Sequence, residues 1–204
     1  MTRPTLAVLL AGGESRRMGR DKCTTSVLGR PLYLRQLETL RATGPDSLAV
    51  VAPSRPDWAE AANVLWIPDA LSPNGERSGP LGGIAGALAR ARGNVVFLPI
   101  DMPAITGEWL AEIAHLAPEG RAVIPIGPDG YEPLVAVYPA AAVALASAQL
   151  QSGDYSVRRW IDRLAAAGWV EATPAFSERW LFANLNRPAD IVAWEDRQRT
   201  GMNG

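Results

Sequence analysis

Apolar runs of strand length alternate with helix-length patterns along this whole sequence, and that alternation limits the folds open to it. Residues 5–11, 47–52, 64–67 and 94–100 read as strands, with helices between them at 31–42, 56–62 and 80–92. Strand, helix, strand in repeated succession favours parallel pairing, because each return to the sheet is made by a helix. The run Val95-Val96-Phe97-Leu98 is apolar at successive positions, as a strand covered on both faces requires. Pro80 stands just inside its helix start, where a missing N–H costs nothing. Beyond residue 100 the pattern predicts a helix at 107–116 and a strand at 121–126. A Gly127-Pro128-Asp129-Gly130 turn follows, with a strand at 134–138 returning beside its predecessor. An Ala-rich helix at 140–151 comes next, then a helix capped by Ser156 and ended by Gly168. Short strands at 169–173 and 180–183 precede a last helix from Pro188 to about Arg197. The expected architecture is one domain over residues 1–204. Its fold class is α/β, a three-layer α/β/α sandwich with a mainly parallel, Rossmann-like sheet.

Composition narrows the chemistry. His115 is the single histidine and Cys23 the single cysteine of 204 residues. An intrachain disulfide and a Cys/His metal cage are therefore excluded, and catalysis by a Ser–His or Cys–His pair has only His115 to draw on. On its sheet-packing helix His115 reads as structural, and Cys23 as a packed thiol with no base beside it. A net charge of -1 from 20 basic and 21 acidic side chains argues against a nucleic-acid partner. No apolar run reaches the 18 or so residues of a membrane span. The short run after Arg3 fits a buried first strand better than a secretion signal, so a cytoplasmic protein is expected. The seven tryptophans are scattered and read as packing residues.

In an open parallel sheet ligands bind beyond the carboxyl ends of the strands, and there the sequence becomes unusual. Leu10-Ala11-Gly12-Gly13-Glu14-Ser15-Arg16-Arg17-Met18-Gly19-Arg20-Asp21-Lys22 spans the end of the first strand and the loop after it. Adjacent glycines allow close backbone approach and can turn N–H groups toward phosphate. Four cations between Arg16 and Lys22 add charge where a polyphosphate would lie. Neither a Walker A loop nor a GxGxxG fingerprint fits the glycine spacing. Lys22 is the only lysine among 19 arginines. A compact ammonium on a flexible stem does what a planar guanidinium cannot, so its survival in an Arg-biased sequence marks it. Asp101, following a buried strand, suits either a Mg²⁺ ligand or a turn aspartate. Asp69 suits a ligand contact or a plain loop acid. Gly79-Pro80-Leu81-Gly82-Gly83 suits either anion binding at a helix start or tight helix packing. Asn186 before Arg187-Pro188 suits either a helix cap or a ligand contact.

The pattern Leu10-Ala-Gly-Gly-x-Ser15-x-Arg17-Met-Gly-x-Asp21-Lys22 resembles the signature loop of the molybdenum cofactor guanylyltransferase family. These are nucleotidyltransferases with a nucleotide-diphospho-sugar-transferase-like fold. Further points of likeness run along most of the sequence: Pro31-Leu32, Asp69, Gly79 to Ile84, Asp101-Met-Pro103, Pro133-Leu134 and Asn184-Leu-Asn186-Arg-Pro188. The resemblance implies nucleotide binding by Leu10, Ala11, Gly12, Gly13, Lys22, Asp69 and Asp101. It implies Mg²⁺ on Asp101, phosphate neutralisation by Lys22 and Arg17, and a cofactor side of the cleft at Gly82, Asn184 and Asn186. Gly12 favours guanine, since CTP-using relatives typically carry Leu-Ala-Ala-Gly. One position departs: where the family commonly has an asparagine after the second strand, this sequence has Ala52.

The activity so implied is transfer of GMP from GTP to the terminal phosphate of molybdopterin-bound molybdenum cofactor, with release of pyrophosphate. Molybdoenzyme apoproteins or their chaperones would receive the product. The attacking phosphate is already anionic, which accords with the absence of a histidine or cysteine base. Two other readings remain: a nucleotidyltransferase using CTP or a sugar-phosphate acceptor, and a catalytically silent relative that binds nucleotide or cofactor.

Overall fold

The computed structural model describes residues 3–12, 22–69, 78–171 and 175–200. The strands are β1 (Leu6–Leu10), β2 (Ser26–Val27), β3 (Arg30–Pro31), β4 (Ser47–Ala52), β5 (Leu65–Pro68), β6 (Asn94–Pro99), β7 (Ile126–Gly127), β8 (Gly130–Tyr131) and β9 (Ala136–Pro139). The α-helices are α1 (Leu32–Arg41), α2 (Trp58–Ala61), α3 (Gly79–Leu88), α4 (Gly107–Leu116), α5 (Val143–Gln151), α6 (Val157–Ala166) and α7 (Pro188–Arg199). The main sheet runs β5-β4-β1-β6-β9. Its first four strands are mutually parallel, and β9 lies antiparallel on β6. This is the mainly parallel α/β architecture that the alternation predicts.

All five residues of β1 are buried because both faces are covered. Ala7 and Leu9 join a core with Leu37 and Leu40 of α1, Leu110 and Ile113 of α4 and Trp194 of α7. Leu6, Val8 and Leu10 face the other way, onto Leu81 and Ile84 of α3, Ala146 of α5 and Trp160 and Leu164 of α6. Each of those two layers buries aliphatic and aromatic side chains, at about 1.5–3 kcal/mol apiece.

Three expectations are corrected downstream of β6. The predicted strand at 121–126 supplies only isolated bridges, Ala122 to Val170 and Val123 to Val137, before Ile126 enters the β7–β8 hairpin. The strand predicted at 134–138 is β9, and its ladder lies on β6, with a single bridge to its predecessor. A hairpin of two-residue strands cannot offer the ladder that β6 does. Residues 180–183 form turns, with Leu181 N–H donating to the Glu178 carbonyl and Ala183 N–H to that of Trp180. Ser156 caps α6 as expected, accepting from Arg159 N–H, and Gly168 closes the helix at φ 73°.

Candidate nucleotide site at the strand exits

β1, β4, β5 and β6 all end on one side of the sheet, and the residues leaving them converge. Ile100 N–H donates to the Leu10 carbonyl at 3.0 Å, and Ala11 N–H to the Val51 carbonyl at 2.9 Å, so Leu10 and Ala11 carry the sheet right to its rim. Gly12 follows, where the chain meets Asp69 from the exit of β5. A Cβ added at Gly12 would lie 2.8 Å from Asp69 Oδ2, and one added at Gly83 in α3 would lie 3.3 Å from Asp69 Oδ1 and 2.7 Å from a Val51 methyl. Two glycines therefore leave the room in which Asp69 sits. Gly82, one residue earlier in α3, is buried on this same flank.

Lys22 opens a short 3₁₀ turn, Lys22–Thr24. Its Nζ donates to Asp101 Oδ2 at 3.0 Å and to Asn186 Oδ1 at 3.0 Å. An ammonium has three donors; among the described residues two are used, and one is left to point at a ligand. The Lys22 and Asp101 side chains are 13% and 22% exposed, enough cover to strengthen their attraction over that of a surface pair. Asn186 therefore uses its side chain on Lys22. The helix start is served instead by Asp190, whose Oδ2 accepts from the N–H groups of Asn186 and Arg187 at 2.8 and 2.7 Å. Asn184 is exposed just before it. Glu195 of α7 accepts from Leu28 N–H at 2.6 Å, which pins the C-terminal helix to the β2–β3 hairpin beside Lys22.

One member of this site is not singled out by motif. Gln36 of α1 is 1% exposed, and its Nε2 donates to the Pro99 carbonyl at 2.8 Å and the Met102 carbonyl at 3.1 Å. These carbonyls flank Asp101 in sequence. From a third direction Leu185 N–H donates to the Asp101 carbonyl at 2.8 Å. The turn bearing the carboxylate is thus tied to α1 and to the segment before α7. The available signal was a polar residue within the apolar stripe Leu32, Gln36, Leu37, Leu40.

Mg²⁺ holds most of its water and needs only one or two carboxylates plus substrate phosphates. Asp101 Oδ1 accepts no hydrogen bond among the described residues, so the carboxylate has an oxygen to give. No cluster of three or more His, Cys, Asp or Glu side chains that could hold a metal occurs among those residues. The residues fit a cation carried in with phosphates.

Gly13 and Arg17 fall outside the described residues. Ala52 ends β4, and its carbonyl accepts the Trp66 indole N–H at 3.0 Å, so an aromatic from β5 borders the position where an asparagine was expected. His115 is exposed on α4, its Nδ1 2.6 Å from the Ala111 carbonyl, and Cys23 is buried. No hydrogen bond among the described residues links His115 to the Lys22–Asp101 pair. No helix among the described residues is long and apolar enough to cross a membrane.

Residues 7–167 match the family model of the MobA-like NTP transferase domain. A protein of Opitutus terrae named "Probable molybdenum cofactor guanylyltransferase" is 36% identical, over 94% of this chain and 93% of its own length. One of the same name from Pyrococcus furiosus is 32% identical over 91% and 94%. Among solved structures, molybdopterin-guanine dinucleotide biosynthesis protein A from Archaeoglobus fulgidus superposes with TM-score 0.68 at 22% identity, covering 96% of this chain and 99% of that one. A nucleotidyl transferase from Methanothermobacter superposes with TM-score 0.70 at 20% identity, covering 96% and 98%.

Proposed function

The chain belongs to the MobA-like NTP transferase family, and on that premise we propose that it transfers GMP from GTP to the terminal phosphate of a molybdopterin-type cofactor. An acceptor phosphate oxygen attacks the α-phosphorus, the bond to the β-phosphate bridging oxygen breaks, and pyrophosphate leaves with that electron pair. The phosphate nucleophile is ionised at neutral pH, so no protein base has to take its proton. What the protein supplies is position and charge.

The observation that carries this reading is Lys22, held between Asp101 and Asn186 at the strand exits with one N–H unspent among the described residues. An ammonium so fixed meets charge developing on the transferred phosphoryl group without reorganising first. Asn186 takes the second N–H and aims the amine. Asp101 would hold Mg²⁺, which when bound neutralises the triphosphate, and Gln36 keeps the Asp101 turn from drifting. Gly12 and Gly83 admit Asp69 beside the first loop, where its carboxylate can accept from the N–H edge of guanine. The names of the curated relatives support guanine as the base.

The test is pyrophosphate release with GTP, CTP, ATP and UTP, each with and without the molybdenum cofactor and with and without Mg²⁺. Release only with GTP, acceptor and Mg²⁺ together is the expected result. Preference for CTP would redirect the base assignment, and binding of GTP with no release under any condition would make the protein a silent relative.

A further inference from the structure

Across the sheet from Asp69 stands a second carboxylate that nothing above uses. β9 is antiparallel to β6, pairing Phe97 with Ala136 and Asn94 with Pro139. Glu132 therefore enters β9 at the end of the sheet where β6 leaves toward Asp101, on the outer flank away from β4 and β5. Its carboxylate lies over Gly127 of the β7–β8 hairpin. A Cβ added there would be 2.8 Å from Glu132 Oε1 and 3.0 Å from a Phe182 ring carbon. Phe182 is three residues from Leu185, whose N–H holds the Asp101 carbonyl. The surroundings of Glu132 are thus joined through that short segment to the Asp101 turn.

Glu132 is half-buried, and among the described residues no hydrogen bond or ion pair reaches its carboxylate. Arg179 spends itself on Asp129, donating to both of its oxygens at 3.0 and 2.9 Å. Loss of water and the neighbouring Asp129 charge both raise the Glu132 pKa from its ordinary value. A partly desolvated carboxylate left without donors is costly unless a ligand brings them.

Resting on the transfer reaction proposed above, we infer that Glu132 is the acceptor-side recognition residue, accepting paired N–H groups from the 2-amino-4-oxopyrimidine edge of the pterin. That edge offers a ring N–H and an exocyclic amino N–H side by side, the geometry a carboxylate accepts bidentately. Guanine carries the same edge. The cleft then has one carboxylate for each ring system, Asp69 for the base and Glu132 for the pterin, with Lys22 and Asp101 between them at the phosphates.

The test is a binding titration that needs no turnover. A pterin bearing a phosphomonoester side chain and the matching lumazine, in which oxygen replaces the 2-amino group, are titrated into the full-length protein and into Glu132→Gln. GTP affinity is measured in parallel. The protein is expected to favour the pterin by tenfold or more. Glu132→Gln is expected to bind it about 10- to 100-fold more weakly and to lose the preference, with GTP affinity unchanged. Equal binding of the two heterocycles by the unmodified protein, or no binding of either, overturns the inference. So does a preference that survives in Glu132→Gln, or a GTP affinity that falls as far as the pterin affinity, which would give the carboxylate to the nucleotide. If Glu132→Gln does not fold, Glu132→Asp decides: weaker pterin binding with the preference kept supports the assignment, and unchanged binding overturns it. A Glu132-dependent preference in a protein that releases no pyrophosphate would retain this subsite while rejecting the transfer reaction.

Discussion

On the β1–β4–β5 flank of the cleft, Asp69 is accommodated by what its neighbours lack; on the β6–β9 flank, Lys22 and Asp101 are held by what theirs supply. Gly12 and Gly83 leave space, and Asp69 fills it. Around Asp101, by contrast, Gln36, Leu185, Lys22 and Asn186 each contribute a directed hydrogen bond or support one, from three separate segments. A flank made by omission tolerates ligands that approach its backbone closely. A flank made of converging polar groups fixes where charge sits. The first suits holding a nucleotide, and the second suits working on its phosphates.

The sharpest challenge to that contrast is at the phosphates. Lys22→Met and Asp101→Ala are each expected to lower kcat by about 10²–10³-fold, the range for losing one preorganised electrostatic group, with the fold retained by circular dichroism. Because the two side chains touch, the double variant should cost clearly less than the two single losses combined. Additive losses would mean that they act independently. Lys22→Arg keeps charge but changes shape, and near-normal turnover there would show that any cation serves.

A smaller effect is expected from Gly12→Ala. Its methyl has to displace the Asp69 carboxylate, so KM for GTP should rise about tenfold, roughly 1.4 kcal/mol, with kcat little changed. Gly83→Ala also meets the Val51 methyl in the core, and overpacking of this kind costs about 1–3 kcal/mol, read as a lowered thermal midpoint. If Gly12→Ala lowered kcat and left KM alone, the division of labour between the flanks would be wrong.

Gln36→Leu leaves the Pro99 and Met102 carbonyls without their buried donor, at about 1–3 kcal/mol of stability. Its effect on turnover should appear in kcat more than in KM for GTP if the Asp101 turn works on the phosphates as proposed. The smallest expected change is in the stability of Glu132→Gln. An acid whose folded pKa is raised favours the fold below its unfolded pKa and loses that contribution as pH rises through the folded value. Chemical denaturation should therefore show the variant more stable than the parent at neutral pH, with the difference vanishing on acidification through the carboxylate range. A difference independent of pH would mean that Glu132 is not desolvated.

The two flanks also differ in how far they could be read in advance. Leu10-Ala11-Gly12-Gly13, Gly82-Gly83 and the strand ends before Asp69 and Asp101 are contiguous signals, each complete within a few residues. The β6–β9 flank is assembled from partners 79 and 164 residues apart, Lys22 with Asp101 and Lys22 with Asn186. For Asn186 the sequence left cap and ligand contact equally open; the structure gives the helix start to Asp190, four residues on, and the Asn186 side chain to Lys22. Gln36 and Glu132 carried no motif at all. The strand predicted at 180–183 failed because its apolar residues serve packing, Phe182 against Trp109 and Phe176, and among the described residues they pair with no strand.

Periodicity is a property of neighbouring residues, so the amino-acid order alone determined the alternation of buried strands and covering helices, and with it a parallel sheet whose exits would gather the unusual loops. It also singled out a lone lysine and an aspartate at those exits. Which side chains face that lysine, which glycines make room for which carboxylate, and which acid is left without a counter-charge were decided only when the sheet closed. They depend on the order β5-β4-β1-β6-β9 and on the return of the last helix to the first hairpin, distances through space that no local pattern encodes.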